Sequence, residues 1–132
     1  MNTEGLKKRT KQFGLRCIKV AESLPNIRTG DVLGRQLLRS AASVGANYRS
    51  ACRAQSKPTF ISKIAIAIEE ADESQFWLEM IVEAGLMSQK KLTALLKESD
   101  EIVAILTASS KTAKANLRKS INNQKSTFNN KS

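Results

Sequence analysis

The sequence predicts an all-α protein, an up-down-up-down antiparallel four-helix bundle, and three observations carry that reading. Aromatic residues make up only 5% of the chain and Gly and Pro together number eight, too few for the packed faces and turns that strands require. Apolar residues recur at steps of three and four in four separate segments. The breaks between those segments are short, and short connections between long helices place neighbours antiparallel. At 132 residues and 41% apolar content, the chain suffices for one domain with a real core.

The first helix is expected over about Thr3 to Leu24, with Phe13, Cys17, Val20 and Leu24 on one face and Pro25 as its stop. PNIRTG reads as a loop, and a second helix follows from near Asp31 to about Gln55. Ser56 suits the N-cap of a third helix, with Pro58 in its first turn, where a missing N–H costs little. That helix carries Phe60, Ile64, Ala67, Ile68, Ala71, Leu78 and Ile81, and Gly85 suits its C-terminal cap. Ser88 suits the N-cap of a fourth helix, whose apolar positions are Leu92, Leu95, Leu96, Ile102, Val103, Ile105 and Leu106. Beyond Ser109 the apolar residues thin, so the bundle domain is drawn at residues 1–122 and 123–132 as a disordered or frayed tail.

Charge is segregated. From Met1 to Lys57 twelve Lys/Arg face three Asp/Glu; from Pro58 to Glu101 four face nine; from Ile102 onward six face none. The net charge of +10 therefore sits at the two ends of the chain, a distribution that suits a polyanionic partner.

The sharpest local feature lies on the second helix. At about 100° per residue, Arg35, Arg39, Arg49 and Arg53 fall within one stripe about 80° wide, with Leu33, Leu37, Val44, Tyr48 and Ala51 almost opposite. Such a ridge would run roughly 27 Å. Guanidinium groups match phosphate because their planar fork donates two hydrogen bonds and stays charged. With Tyr48 on the core side there is no platform for stacking unpaired bases, so structured RNA or a duplex backbone fits better than a single strand. The acidic set on the third helix, Glu69, Glu70, Asp72, Glu73, Glu79 and Glu83, could instead pair with the stripe; Arg39 is the member most exposed to that competition, and Arg49 and Arg53 the least.

Two further groups join the candidates. The small residues around Ser40, Ser43, Gly45 and Asn47 permit close approach of a second backbone, either inside the bundle or at a subunit interface. Basic clusters at Lys7, Lys8, Arg9 and Lys11 and at Lys111, Lys114, Arg118 and Lys119 are further phosphate contacts, expected at opposite poles of the bundle.

Catalysis finds little support. The chain has no histidine, no glycine-rich phosphate loop, no nucleophile elbow and no zinc spacing, so neither enzyme chemistry, nor a metal, nor a cofactor is expected. Cys17 and Cys52 read as two reduced thiols in a cytoplasmic protein, and neither a signal peptide nor a membrane span is expected.

The string RQLLRSAASVGANYRSACRAQSKPTFISKIAIAIEEADESQFWLEMI resembles the bacterial four-helix-bundle family encoded in intervening sequences of 23S ribosomal RNA genes. Gln36, Arg39 to Ala41, Ser43, Ala46, Asn47, Phe60, the EEADES run and the WLE after it carry the likeness, within about residues 28–85. The resemblance implies a homopentameric ring of bundles with a basic surface. It extends to the accessory protein of diversity-generating retroelements, which implies nucleic acid and a reverse transcriptase as partners. The expected function is thus a non-enzymatic, homo-oligomeric nucleic-acid binder, with a protein-interaction adaptor for a reverse transcriptase as the alternative.

Overall fold

A computed structural model describes the backbone of residues 2–130 and the side chains of residues 2–126. Four helices follow one another: α1 Thr3–Glu22, α2 Arg28–Cys52, α3 Lys57–Glu83 and α4 Gln89–Asn130. Each of the first three has a local reason to begin or end where it does. Asn2 Oδ1 accepts from the Gly5 backbone N–H at 2.7 Å, satisfying one of the donors that the first turn of α1 leaves open. Ser56 does the same for α3, accepting from the Thr59 N–H at 3.2 Å, and Pro58 sits in the first turn. At the far end of α3, Gly85 has φ +76°, and the Leu86 N–H reaches back to the Ile81 carbonyl at 3.1 Å, closing a left-handed C-terminal turn.

Helix α2 begins at Arg28, earlier than the PNIRTG loop suggests. The first turn of α2 folds back on the chain leaving α1, and Gly30 permits it: a Cβ there would lie 2.3 Å from the Pro25 carbonyl oxygen. Helix α4 continues as helix through Asn130, past the boundary drawn at residue 122. Residues 131 and 132, and the side chains of 127–130, lie outside the described residues, so the expected tail falls partly there.

The core forms where the periodicity put it. Phe13 and Cys17 from α1, Leu24 from the connection after it, Leu33, Leu37, Val44, Tyr48 and Ala51 from α2, Ile64, Ala67, Ala71, Leu78 and Ile81 from α3, and Leu92, Leu95, Ile102 and Leu106 from α4 are all buried. Val20, Phe60, Ile68, Leu96, Val103 and Ile105 pack half-buried around them. Polar groups inside are satisfied: Ser74 Oγ donates to Ser40 Oγ at 2.9 Å across the α2–α3 seam, Thr10 Oγ1 bonds the Leu6 carbonyl, and Ser99 Oγ bonds the Leu96 carbonyl. Sequence neighbours pack along their lengths, whereas α1 and α4, which close the bundle, touch least. Among the described residues, the side-chain hydrogen bonds between that closing pair are all charged ones.

Candidate nucleic-acid interface

The arginine stripe of α2 splits into two halves. Arg39 stands opposite the acidic stretch of α3, donating to Glu70 Oε2 at 3.3 Å and to Glu73, which also accepts from the Trp77 indole at 3.1 Å. Arg35 lies 3.8 Å from Asp31 one turn back, with 81% of its side chain in solvent, so that pair is loose. Arg49 and Arg53 are exposed and form no ion pair among the described residues. The reason is positional: α3 carries no carboxylate before Glu69, and the antiparallel register that sets Arg39 beside Glu70 leaves the end of α2 beside the acid-free start of α3.

The N-terminal cluster divides as well. Lys7 pairs with Glu4 at 3.1 Å. Arg9 is taken out of the candidate surface altogether: its Nε donates to Glu98 Oε2 at 2.8 Å, and its Nη2 donates to Glu98 Oε1 at 2.6 Å and to Glu101 Oε2 at 2.5 Å. This fork is the tie between α1 and α4. The hydrogen bonds from Arg9 hold the Glu98 carboxyl below the usual carboxylate range, and those same bonds raise the Arg9 guanidinium above its ordinary value. Among the described residues Lys8 and Lys11 remain exposed without an ion pair. So do Lys111, Lys114, Arg118 and Lys119 on α4.

These groups share one pole, contrary to the expectation of two. An even number of antiparallel helices returns the chain to the end from which it started, so the start of α1, the end of α2, the start of α3 and the later turns of α4 come together. Gly45 of α2 lies against Thr10 and Lys11 of α1, and Gln75 of α3 bonds Asp100 of α4, fixing that register. Among the described residues of those four ends, Glu4 is the lone carboxylate, and Lys57, which the sequence reading passed over, is a further cation. Counting helices would have located it, because Ser56 caps α3 at this pole.

A groove of about 980 Å³ opens on the α1–α2 face beside the pole. Its floor is low, made by Gly14, Ala42, Gly45 and Ala46 between the exposed side chains of Leu15 and Ile18, and Lys8, Lys11 and Arg49 stand at its edge. Of the residues expected at a subunit interface, Ser40 is engaged within the subunit, while Gly45 both packs on α1 and lines the groove. Ser40 is wholly buried against Ser74, and the Gly45 backbone packs on α1. Ser43 Oγ donates to the Arg39 carbonyl and Asn47 Nδ2 to the Ser43 carbonyl, so both turn back on α2 itself.

Among the described residues no group of three or more Cys, Asp or Glu is placed to hold a metal ion, and no helix is long and apolar enough to cross a membrane. Burial pushes the Cys17 thiol up to about 12 and the Tyr48 hydroxyl to about 12, so neither ionises at neutral pH.

No curated protein matches the chain. Among solved structures, a protein of unknown function from the S23 ribosomal protein family of Bacteroides thetaiotaomicron VPI-5482 is 32% identical, with a TM-score of 0.78 over 84% of this chain and 99% of that one. Residues 5–108 match the family of 23S rRNA-intervening sequence proteins, and with most of its length so matched and the bundle in place, this chain belongs to that family.

Proposed function

We propose that this protein is a non-enzymatic bundle that grips the phosphate backbone of nucleic acid, RNA or DNA, with its basic pole, and that it does so as a homo-oligomer, a pentamer by family resemblance. One observation carries the reading: four helix ends meet with Arg49, Arg53, Lys8, Lys57 and Lys114 exposed, and among the described residues poleward of the Arg9 fork to Glu98 and Glu101 the one carboxylate is Glu4. Fixed cations in that density raise the local concentration of a polyanion and release its counterions on contact. Filter binding tests it. Affinity should fall by orders of magnitude between about 50 and 200 mM salt, and absence of binding at the lower salt refutes the reading.

Assembly draws support from two unlike faces. The groove has an apolar floor and a basic edge, while the outer face of α3 exposes Phe76, Met80 and Ile66 between Glu69, Asp72, Glu79 and Glu83. Unlike, complementary faces on one chain favour head-to-tail contact, which closes into a ring when the rotation permits. Light-scattering mass after nuclease treatment tests it, and a monomer mass refutes it. The same groove favours a second reading, an adaptor that receives an acidic protein partner such as a reverse transcriptase; recovery of that partner in a nuclease-resistant complex would select it over the first.

A further inference from the structure

The register of α3 on α4 shows what the last turns of α4 are free to do. Gln75 bonds Asp100 at 2.7 Å, so with equal rise in both helices the first turn of α3 lies level with about Arg118. Along α4 the last buried residue is Ser110; Ala113 and Leu117 continue the line of Ile102 and Leu106 but are only half-buried, and the helix runs on beyond them. From 111 to 126 it holds five cations and no carboxylate.

Those cations are arranged, not scattered. Taking Lys111 as zero and about 100° per residue, Ala115, Arg118 and Asn122 lie within about 40° of it, forming the middle of one face. Lys114 and Lys125 flank that face about 40–60° to one side, and Lys119 flanks it about 80° to the other. Ala113 and Leu117, some 120–160° from the middle of that face, are half-buried on the bundle side, and Ile121, about 80° away, is exposed. A basic-and-amide face with cations on both shoulders, on a helix backed by the bundle to about Arg118 and projecting beyond it, matches one ligand shape: a groove with phosphates on both walls and base edges at the bottom.

We infer that the face of α4 built from Lys111, Lys114, Arg118, Lys119, Asn122 and Lys125 enters the major groove of B-form duplex DNA. The inference rests on the nucleic-acid reading above and narrows it. An α-helix is about 10–12 Å across with its side chains, and the B-form major groove is about 12 Å wide, whereas the A-form groove of duplex RNA is too deep and narrow to admit it. Within such a groove Arg118 and Asn122 face base edges, for which their forked donors and amide are suited, while Lys114, Lys119 and Lys125 reach the two phosphate walls.

The test is a fluorescence-anisotropy titration of the full chain with a 20-base-pair DNA duplex and with the RNA duplex of the same sequence. The wild type is expected to bind the DNA about tenfold or more tightly than the RNA, the discrimination of one or two good groove contacts. K114E/R118E/K119E should bring DNA binding down to the RNA level with an unchanged helical spectrum and melting temperature, because these side chains are exposed and bond no other side chain among the described residues. R49E/R53E should weaken both duplexes and keep their ratio. Equal binding of the two duplexes by the wild type, preference for RNA, or an α4 variant that keeps the wild-type ratio overturns the groove inference alone; failure of the wild type to bind either duplex overturns it together with the broader reading.

Discussion

Arg39 and Arg49 sit on the same stripe of the same helix, and the bundle uses them in opposite ways. Arg39 faces the acidic middle of α3 and is locked to Glu70 and Glu73; Arg49, with Arg53 beyond it, faces the part of α3 that holds no acid and forms no ion pair among the described residues. Nothing in the arginine itself decides this. The carboxylate distribution of the neighbouring helix does, so one basic stripe serves register at one end and an outside polyanion at the other. Arg9 and Lys8 repeat the contrast on α1, the first forked to Glu98 and Glu101, the second in solvent.

Charge reversal at the free end should give the largest effect. R49E/R53E removes two phosphate contacts, lowering the slope of log K against log salt by about 1.8 and the affinity at low salt by tenfold or more. E79K/E83K, on the outer acidic face of α3, should leave nucleic-acid affinity equal or raised. If both double variants weaken binding alike, the pole is no more a docking surface than the rest of the molecule.

Next in size is the α1–α4 tie. Both Arg9 and Glu98 are mostly withdrawn from solvent, so Arg9→Ala leaves a carboxylate short of the donors that held it and should cost roughly 2 kcal/mol in urea unfolding. The pH dependence has a definite sign. Folding depresses the Glu98 pKa, so its contribution is fully present above the ordinary carboxylate range and is lost as pH falls below that range through the depressed value. Acidification should therefore shrink the gap between wild type and Arg9→Ala. A gap that widened in acid would place the tie elsewhere.

Arg39→Ala comes third. With 49% of its side chain in solvent, its ion pairs are screened, and the loss should stay under about 1 kcal/mol, with nucleic-acid affinity reduced less than by Arg49→Ala. A larger loss of affinity at Arg39 than at Arg49 would reverse the assignment of the two halves.

The fold was readable because burial in a bundle is periodic: Leu33, Leu37, Val44, Tyr48 and Ala51 declare one face whatever surrounds them. The division of the stripe was half readable, since the acids of α3 were visible and Arg39 stood opposite them. Arg9 was not, because Glu98 and Glu101 lie about ninety residues away and only the closing of the bundle brings them near. The single basic pole was within reach of simple topology, yet a reading made segment by segment places each cluster on its own helix and misses that the ends meet. Gly45 shows a different limit: a glycine inside a helix signals a close neighbour without saying whether that neighbour belongs to the same subunit.

Gly45 also offers the smallest and most discriminating test, since it lies on α2 between the paired and the free arginines. A Cβ there would meet Lys11 N at 3.4 Å and the Thr10 carbonyl group at 3.5 Å, ordinary contact distances against a backbone. Alanine should then gain most of the roughly 1 kcal/mol by which it exceeds glycine in a helix, less whatever the α1–α2 seam must yield, for a net rise of about 0.5 kcal/mol in chemical denaturation. Gly30→Ala is the control with the opposite sign, because its Cβ would fall 2.3 Å from the Pro25 carbonyl and the first turn of α2 would have to shift. Should Gly45→Ala leave the melting curve of the isolated subunit untouched or improved and yet lower the assembled mass in light scattering, the glycine serves the groove and whatever docks there. Should the assembled mass stay as it was, the glycine does not serve assembly, and the paired half of the stripe, the seam and the free pole are independent parts of one helix.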